Sequence, residues 1–342
     1  MADFNKYGDL PPMSAGKAAK EILTQTNPKL NIQRYAKKFI KAQNTTDHDY
    51  FRRYSRLTYA DVPLAEGENP DGQKPSTSDV NLNMKEFGDY IRLSSKIFDM
   101  DANNVPANII ELLSEQAPGS IERFDFAALK EATNVRYSGS ADNITAGHTD
   151  AVVDVVDDSL FEEVVALLES DDAEKFTKIQ TASANFGTQA ITAAYIGLLH
   201  NNLKPDLRAC SSWVDVKDYG AGPADSISEN EIGSVNEIRF ATSNHYLPTL
   251  SSGGAVDSDV IRSTDTTNAD VYPIVVLAKN AIGCAMLKGR DSMNVFLIKP
   301  KPGASDALGR RGHAGWLCIH DIVILNQNRM CLVWAAASKR RA

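Results

Sequence analysis

The residues best able to do chemistry in this chain do not come in chemical patterns. Cys210, Cys284, Cys318 and Cys331 form no Cys-x-x-Cys pair. Such scatter reads as reduced thiols, not as a zinc site or a disulfide framework. Cys318 and Cys331 flank an expected hairpin, but with its turn at Asn326 to Arg329 they are not opposite each other. The 6 histidines are dispersed; His313 lies in a Gly-rich turn and His320 inside a strand-like run. A general base or a metal ligand needs spatial partners, and no spacing here supplies them. There is no Gly-x-Gly-x-x-Gly or phosphate-binding loop, no Gly-x-Ser-x-Gly elbow and no His-Glu-x-x-His pair. Gly220-Ala221-Gly222 runs into Pro223, which is wrong for a phosphate loop. Asp99-Met100-Asp101-Ala102-Asn103 opens like a calcium loop, but Asn104 stands where Gly is needed and Ile110 where a carboxylate is needed. Asp154, Asp157 and Asp158 precede a helical pattern, where negative charge suits the helix N-terminus. Trp213, Trp316 and Trp334 have no basic patch around them and read as packing residues, not base-stacking platforms. No catalytic residue, metal or cofactor is expected.

The totals are those of an ordinary globular protein. The chain has 342 residues, 43% hydrophobic and 23% charged, enough for one large domain with extensions or two modest ones. Its net charge of -8 argues against a protein that grips nucleic acid through phosphates. Charge is uneven: Lys and Arg outnumber Asp and Glu from Met1 to Arg56, whereas Gly139 to Glu174 has neither Lys nor Arg. Complementary patches of this kind can steer copies of a protein together. The N-terminus has no apolar signal core, and no apolar run approaches the ~20 residues of a membrane helix. No membrane partner is expected.

The elements that would position any site follow from periodicity. Residues 1–45 read as an arm: Pro11-Pro12 forbids early regular structure, and a short helix is expected from Lys29 to Lys41. Asp49 to Leu57 alternates at period two, as does Val80 to Leu93. Between them Asn69-Pro70-Asp71-Gly72 has the residues of a type I turn. Together these predict a long two-stranded ribbon, which alone is barely stable in water and needs a partner surface. Asn104-Val105-Pro106 starts a helix, and Ile109, Leu113, Ala117, Ile121, Phe124 and Ala128 continue it at helical spacing. The stripe keeps phase across Pro118-Gly119, which predicts one bent helix. A second amphipathic helix is expected from Ser159 to Lys175. Strands are expected at Ala193–His200, Glu237–Thr242, Tyr272–Leu277 and Asn294–Lys299. Ser211 to Ser228 and Pro248 to Asn268 read as loops, and Gly315–Leu325 with Met330–Ala336 as a closing hairpin.

In its ordered blocks the sequence resembles one family. They include Phe51-Arg52-Arg53-Tyr54-Ser55, Pro63-Leu64-Ala65-Glu66-Gly67 and Pro70-Asp71-Gly72-Gln73-Lys74. They continue through Glu86-Phe87-Gly88-Asp89-Tyr90-Ile91-Arg92-Leu93-Ser94, Leu113-Ser114-Glu115-Gln116-Ala117 and Ala132-Thr133-Asn134-Val135. Ser212-Trp213-Val214-Asp215-Val216-Lys217, Gly233 through Phe240, and Arg311-Gly312-His313-Ala314-Gly315-Trp316 complete the set. From about residue 50 to 335 these resemble the N4-like major capsid proteins of tailed phages, within the HK97 fold. Pro118 in the helix and the loop Pro248 to Asn268 depart from the family pattern.

The resemblance implies an α+β, HK97-type capsid fold: an N-terminal arm (1–45), an extended β-hairpin loop (46–95), and a peripheral domain with a long spine helix (96–180). An axial domain (181–284) and a return to the peripheral domain (285–342) would complete it. It implies a major capsid protein that self-assembles through pentamers and hexamers into an icosahedral shell. Portal, scaffolding and cement or decoration proteins would be partners. Double-stranded DNA would be enclosed without sequence-specific binding. Its location would be the virion capsid, and the host cytoplasm during assembly. Inter-subunit contacts are expected at Arg52, Arg53, Tyr54, Asp71, Lys74, Phe87, Tyr90 and Arg92. An encapsulin-like cellular compartment shares the fold and is the alternative, followed by a hydrolase with a dispersed site.

Overall fold

Three patterns decide the architecture: two fully apolar strands, one long amphipathic helix, and one ribbon with few apolar residues to bury. The structure, a computed structural model, describes residues 30–42, 48–63, 66–67, 72–100, 105–146, 148, 150–177, 192–219, 230–256, 260–287, 294–303 and 306–339. The arm enters as α1 (Ile32–Tyr35) and β1 (Lys37–Lys41), followed by β2 (His48–Tyr54), β3 (Thr77–Asn83) and β4 (Lys85–Ser94). Then come α2 (Ser95–Met100), α3 (Val105–Leu129), β5 (Val135–Tyr137) and α4 (Asp158–Ser170). The next group is β6 (Tyr195–His200), α5 (Lys204–Leu207), β7 (Trp213–Asp215), β8 (Glu231–Val235) and β9 (Ile238–Ser243). The chain closes with β10 (Val271–Leu277), β11 (Ile282–Leu287), β12 (Asn294–Ile298), β13 (Arg311–Ile324) and β14 (Met330–Ala336).

A 7-stranded sheet, in the order β5-β14-β10-β6-β9-β8-β7, forms the centre. Every residue of β10 and β14 is buried, the mark of a strand covered on both faces. Alternate residues serve two cores. Ile274, Val276, Cys331 and Val333 pack beneath α4, with Leu160, Phe161, Val164 and Leu168. Val275, Leu277, Leu332 and Trp334 face the other way, toward Ile32, Phe126 and Leu129. Helix α4 starts where expected because the Asp157 carboxylate accepts the Leu160 N–H at 3.0 Å, satisfying one of the free donors of the first turn.

A 5-stranded sheet is built on the 14-residue β13. Strand β4 runs along one side of it, from Arg311↔Ser94 to His320↔Lys85. The other side is shared by β12 and β11, and β1 adds in parallel to β11. Helix α3 lies on one face of this sheet: Leu113, Ala117 and Ile121 join Leu93, Ala314, Trp316 and Cys318. The helix is continuous through Pro118, in agreement with the unbroken stripe.

Four expectations are corrected. The helix from Lys29 to Lys41 is one turn only. The alternating Lys37-Lys38-Phe39-Ile40-Lys41 then takes the open edge of β11 as a strand. The run Val80 to Leu93 is two strands, so only Thr77–Asn83 pairs with β2, and the ribbon is shorter than the pattern implied. The closing hairpin does not form: β13 and β14 enter different sheets, because β14 already fills both its edges with β5 and β10. The turn is a 3₁₀ turn, Gln327–Arg329, in which the Asn326 side chain accepts the Asn328 N–H. Within the expected loop from Ser211, Trp213–Asp215 is a strand against β8. No helix among the described residues is long and apolar enough to cross a membrane.

Candidate assembly surface

The ribbon is a sheet of its own: β2 and β3 pair with each other and with no other strand. Its register puts Arg52 opposite Asp79, and the guanidinium reaches both carboxylate oxygens, at 2.9 and 3.0 Å. That bond holds the Asp79 carboxyl below its ordinary range. Beyond the last strand pair the ladder is continued by Ser55 N–H to Ser76 O and by a side-chain substitute. Gln73 accepts from Thr58 N–H at 2.9 Å and donates to Thr58 O at 2.8 Å.

Among the described residues, most of the ribbon's contacts with its own body lie near its base. Phe39 and Phe51 stack with centroids 4.0 Å apart, Leu82 is buried, and Asn83 N–H donates to Asp321 at 3.0 Å. Arg53 donates to the Asn326 side chain, and Arg56 pairs with Asp172 at 2.6 Å. Away from these contacts it is bare. Tyr54 is 67% exposed, Tyr59 69% and Val62 80%. Apolar side chains this open in a row mark a contact surface more than scattered surface residues do.

The eight expected contact residues divide by position. Arg52, Arg53, Tyr54 and Lys74 lie on the ribbon and are exposed; Asp71 lies outside the described residues. Tyr90 and Arg92 share one face of β4, where the guanidinium donates to the Tyr90 hydroxyl at 2.8 Å. Phe87 has the opposite parity and packs on α3, its ring 4.5 Å from that of Phe124.

Periodicity did not reveal a buried polar cluster on α3. Glu122 and Asp125 are both fully buried. Glu122 accepts from Asn31 N–H at 3.2 Å, Ile32 N–H at 3.3 Å and the Tyr246 hydroxyl at 2.8 Å. Burial pushes its carboxyl up from the ordinary 4.5 to about 7. Asp125 accepts from Gln33 at 3.3 Å and sits 2.5 Å from His320 Nε2. Cys284 Sγ lies 3.5 Å from His320 Nδ1, so the order is thiol, imidazole, carboxylate. As a nucleophile the arrangement is poor. All three groups are buried, and burial pushes the thiol up to about 12, whereas a reactive thiol is exposed and easily deprotonated. The cluster ties the arm, the helix and β13 together. The only local clue to it is that Glu122 and Asp125 share the spacing of Phe126 and Leu129 on one helix face.

The acidic group before α4 also works as structure. Asp157 caps the helix, and Asp158 accepts from Ser211 and Ser212. Among the described residues, one group of ligand-type side chains converges, Asp142, His148 and Asp150 within 4.8 Å, all exposed on a loop.

No model of a known protein family matches the sequence, and no curated protein matches it. Solved structures do match, over nearly the whole chain. The capsid of Ralstonia phage GP4 superposes with a TM-score of 0.66 at 10% identity, covering 100% of both chains. The acid-stable capsid of Helicobacter pylori bacteriophage KHP30 gives 0.62 at 12% identity, covering 98% of this chain and 99% of that one. The capsid of Cyanophage P-SCSP1u gives 0.61 at 12%, covering 95% and 94%. The chain therefore has the mixed α+β, HK97-type fold of bacteriophage capsid proteins.

Proposed function

We propose that this chain is the major capsid protein of a tailed bacteriophage, of the N4-like kind, and not an enzyme. One observation carries the reading. A two-stranded ribbon with a bare apolar flank projects from a body whose fold matches phage capsids from end to end. Such a ribbon gains its missing partner from a neighbouring copy. Copies that each make several moderate contacts close a shell by multivalency.

In this reading residues 1–45 are the arm and 46–95 the extended loop. Residues 96–180 and 285–342 supply the peripheral domain around α3, while β5 and α4 of the first segment lie with the 7-stranded sheet. Residues 181–284 form the axial domain at capsomer centres, with β14 of the returning segment pairing β10. Pentamers and hexamers of the one chain enclose double-stranded DNA without reading its sequence. Portal, scaffolding and cement proteins complete the particle, which assembles in the host cytoplasm.

The test is electron microscopy of the purified full chain, with and without residues Thr58 to Asp79. Closed shells are expected from the intact chain, and soluble, folded, unassembled subunits from the deletion. Closed shells from the deletion would remove the ribbon from the mechanism. Particles carrying an enzyme cargo in place of DNA would make the chain a cellular compartment.

A further inference from the structure

A cleft of about 740 Å³ lies between the base of the ribbon and the body. Strand alternation makes one wall. Phe51 and Arg53 share the face of β2 that turns to the body: Phe51 stacks on Phe39 of β1, and Arg53 reaches the Asn326 side chain. The opposite wall is β1, through Lys37 and Phe39, with the turn before β14, through Asn328 and Arg329. Three remote parts of the chain therefore meet there.

The cleft gathers positive charge. Lys37, Arg52, Arg53, Arg56 and Arg329 line it, against Asp171 alone of the carboxylates. Two of the five cations are already neutralised, Arg52 by Asp79 at 2.9 Å and Arg56 by Asp172 at 2.6 Å. The other three have neutral partners. Arg53 donates to the Asn326 side chain. Arg329 donates to the Lys279 carbonyl at 3.2 Å. The Lys37 ammonium lies 5.4 Å from the centre of the Phe39 ring. Asp171 is engaged by the Asn328 amide, which donates to it at 3.2 Å. Among the described residues no carboxylate forms an ion pair with Lys37, Arg53 or Arg329. Even with Asp79 and Asp172 counted, five cations face three carboxylates, on a chain whose net charge is -8. Like charges gathered without counter-charge repel one another, and an anion that enters relieves the repulsion.

Size and charge name the ligand. A volume of this order suits a small molecule. An excess of two positive charges asks for an anion of at least two negative ones. A carboxylate brings one charge and two oxygens; a phosphate group brings about two charges and three oxygens, which guanidinium forks fit in pairs.

We propose that this cleft binds a small phosphate-bearing anion, held by Lys37, Arg53 and Arg329, which ties the ribbon to its own body. Arg53 belongs to the ribbon, Lys37 and Arg329 to the body, so one bound anion bridges the two and holds the ribbon at one angle. The site lies within a single copy; it goes beyond the capsid reading and does not depend on it. Because the cleft is open to solvent, affinity falls with added salt.

Calorimetric titration of the unassembled full chain with sodium tripolyphosphate, at low ionic strength, is expected to show one saturable site per chain. Lys37→Gln, Arg53→Gln and Arg329→Gln should each weaken it by about fivefold or more, whereas Lys301→Gln, outside the cleft, should leave it unchanged. Lys37 and Arg53 are exposed, so their variants keep the fold, which urea unfolding checks. Bound tripolyphosphate should also slow amide hydrogen exchange across β2 and β3 by about threefold or more. A second arm uses ATP: tighter binding than tripolyphosphate assigns the site to a nucleotide, equal binding to the phosphate chain alone, and either supports it. No saturable binding, or binding that the three substitutions leave unchanged, overturns the proposal. Succinate binding as tightly as pyrophosphate overturns it too, since the cleft would then read charge and not phosphate. Binding that leaves exchange in the ribbon unaltered overturns the bridge. None of these measurements reads shell formation, so their failure leaves the capsid reading standing.

Discussion

Glu122→Gln should remove a pH effect that the fold builds into α3, so that the variant is the weaker chain in acid and the stronger one in base. The Glu122 carboxyl is wholly buried, and burial is the largest influence on it, raising its pKa from 4.5 to about 7. The bonds from Tyr246 and from the Asn31 and Ile32 N–H groups pull the other way, and Asp125 nearby adds to the rise. Between pH 4.5 and 7 the folded chain therefore holds a proton that the unfolded chain has lost. Stability must fall as pH climbs through that window, and this contribution flattens above it. At 1.36 kcal/mol per pH unit, the fall amounts to about 3 kcal/mol. Glutamine cannot ionise, yet its carbonyl still accepts from Tyr246 or Asn31. Its amide meets a donor in place of an acceptor, a fixed cost of about 1–2 kcal/mol. The variant is therefore weaker than the parent at pH 4.5 and stronger at pH 8. Urea unfolding of the unassembled chain, followed by tryptophan fluorescence across that range, measures the difference, in which other titrating groups cancel. A difference that stays constant with pH would refute the reasoning, and so would one that moves against the variant as pH rises.

Three further outcomes are expected. Ile121→Ala empties a site that is 1% exposed between α3 and the 5-stranded sheet, and should cost about 2–5 kcal/mol in the same unfolding assay. A loss within ordinary surface scatter would show that this core is not tightly packed. Pro118→Ala returns an N–H to the middle of a continuous helix and should stabilise the subunit by about 1–3 kcal/mol; a lower urea midpoint would mean that the proline fits a required bend. Tyr90→Ala removes an exposed ring from β4, so subunit stability should hold while particle yield and heat resistance drop. Unchanged particles would take Tyr90 out of the assembly surface.

Local pattern shows what local energy decides. The α3 stripe, the α4 cap at Asp157 and the apolar runs of β10 and β14 are set by neighbours three or four residues away, or by sheer apolar content, and sequence reads them well. The closing hairpin was misread because Asn326 to Arg329 is a sound turn either way. Nothing within ten residues says that β14 will be taken by β5 and β10. Strand β1 was hidden for the same reason, since five residues can be a helix or a strand until β11 offers an edge. At the assembly surface, alternation along β4 separates Tyr90 and Arg92 from Phe87, so that distinction was available in the sequence. The grouping of Arg92, Lys299 and Arg311 was not, since only the pairing of β4, β13 and β12 brings them together.

Helix α3 changes partners halfway along. Its first half, through Leu113, Ala117 and Ile121, belongs to the core under the 5-stranded sheet; its second half, through Phe126 and Leu129, belongs to the core under the 7-stranded one. Glu122 and Asp125 sit at that change, bonded to the arm, to Tyr246 after β9, and to His320 of β13. A buried carboxylate is costly unless its donors are in place, so sliding either sheet along the helix would strand both acids. The body is thus held to one arrangement at the joint where two sheets would otherwise shear. The ribbon has no such restraint. Its link to the body beyond the base is the exposed pair Arg56–Asp172, a kind of contact that contributes little to stability. Under the proposed capsid function, copies that meet at different angles need one rigid part and one yielding part, and the division between the two falls at the base of the ribbon.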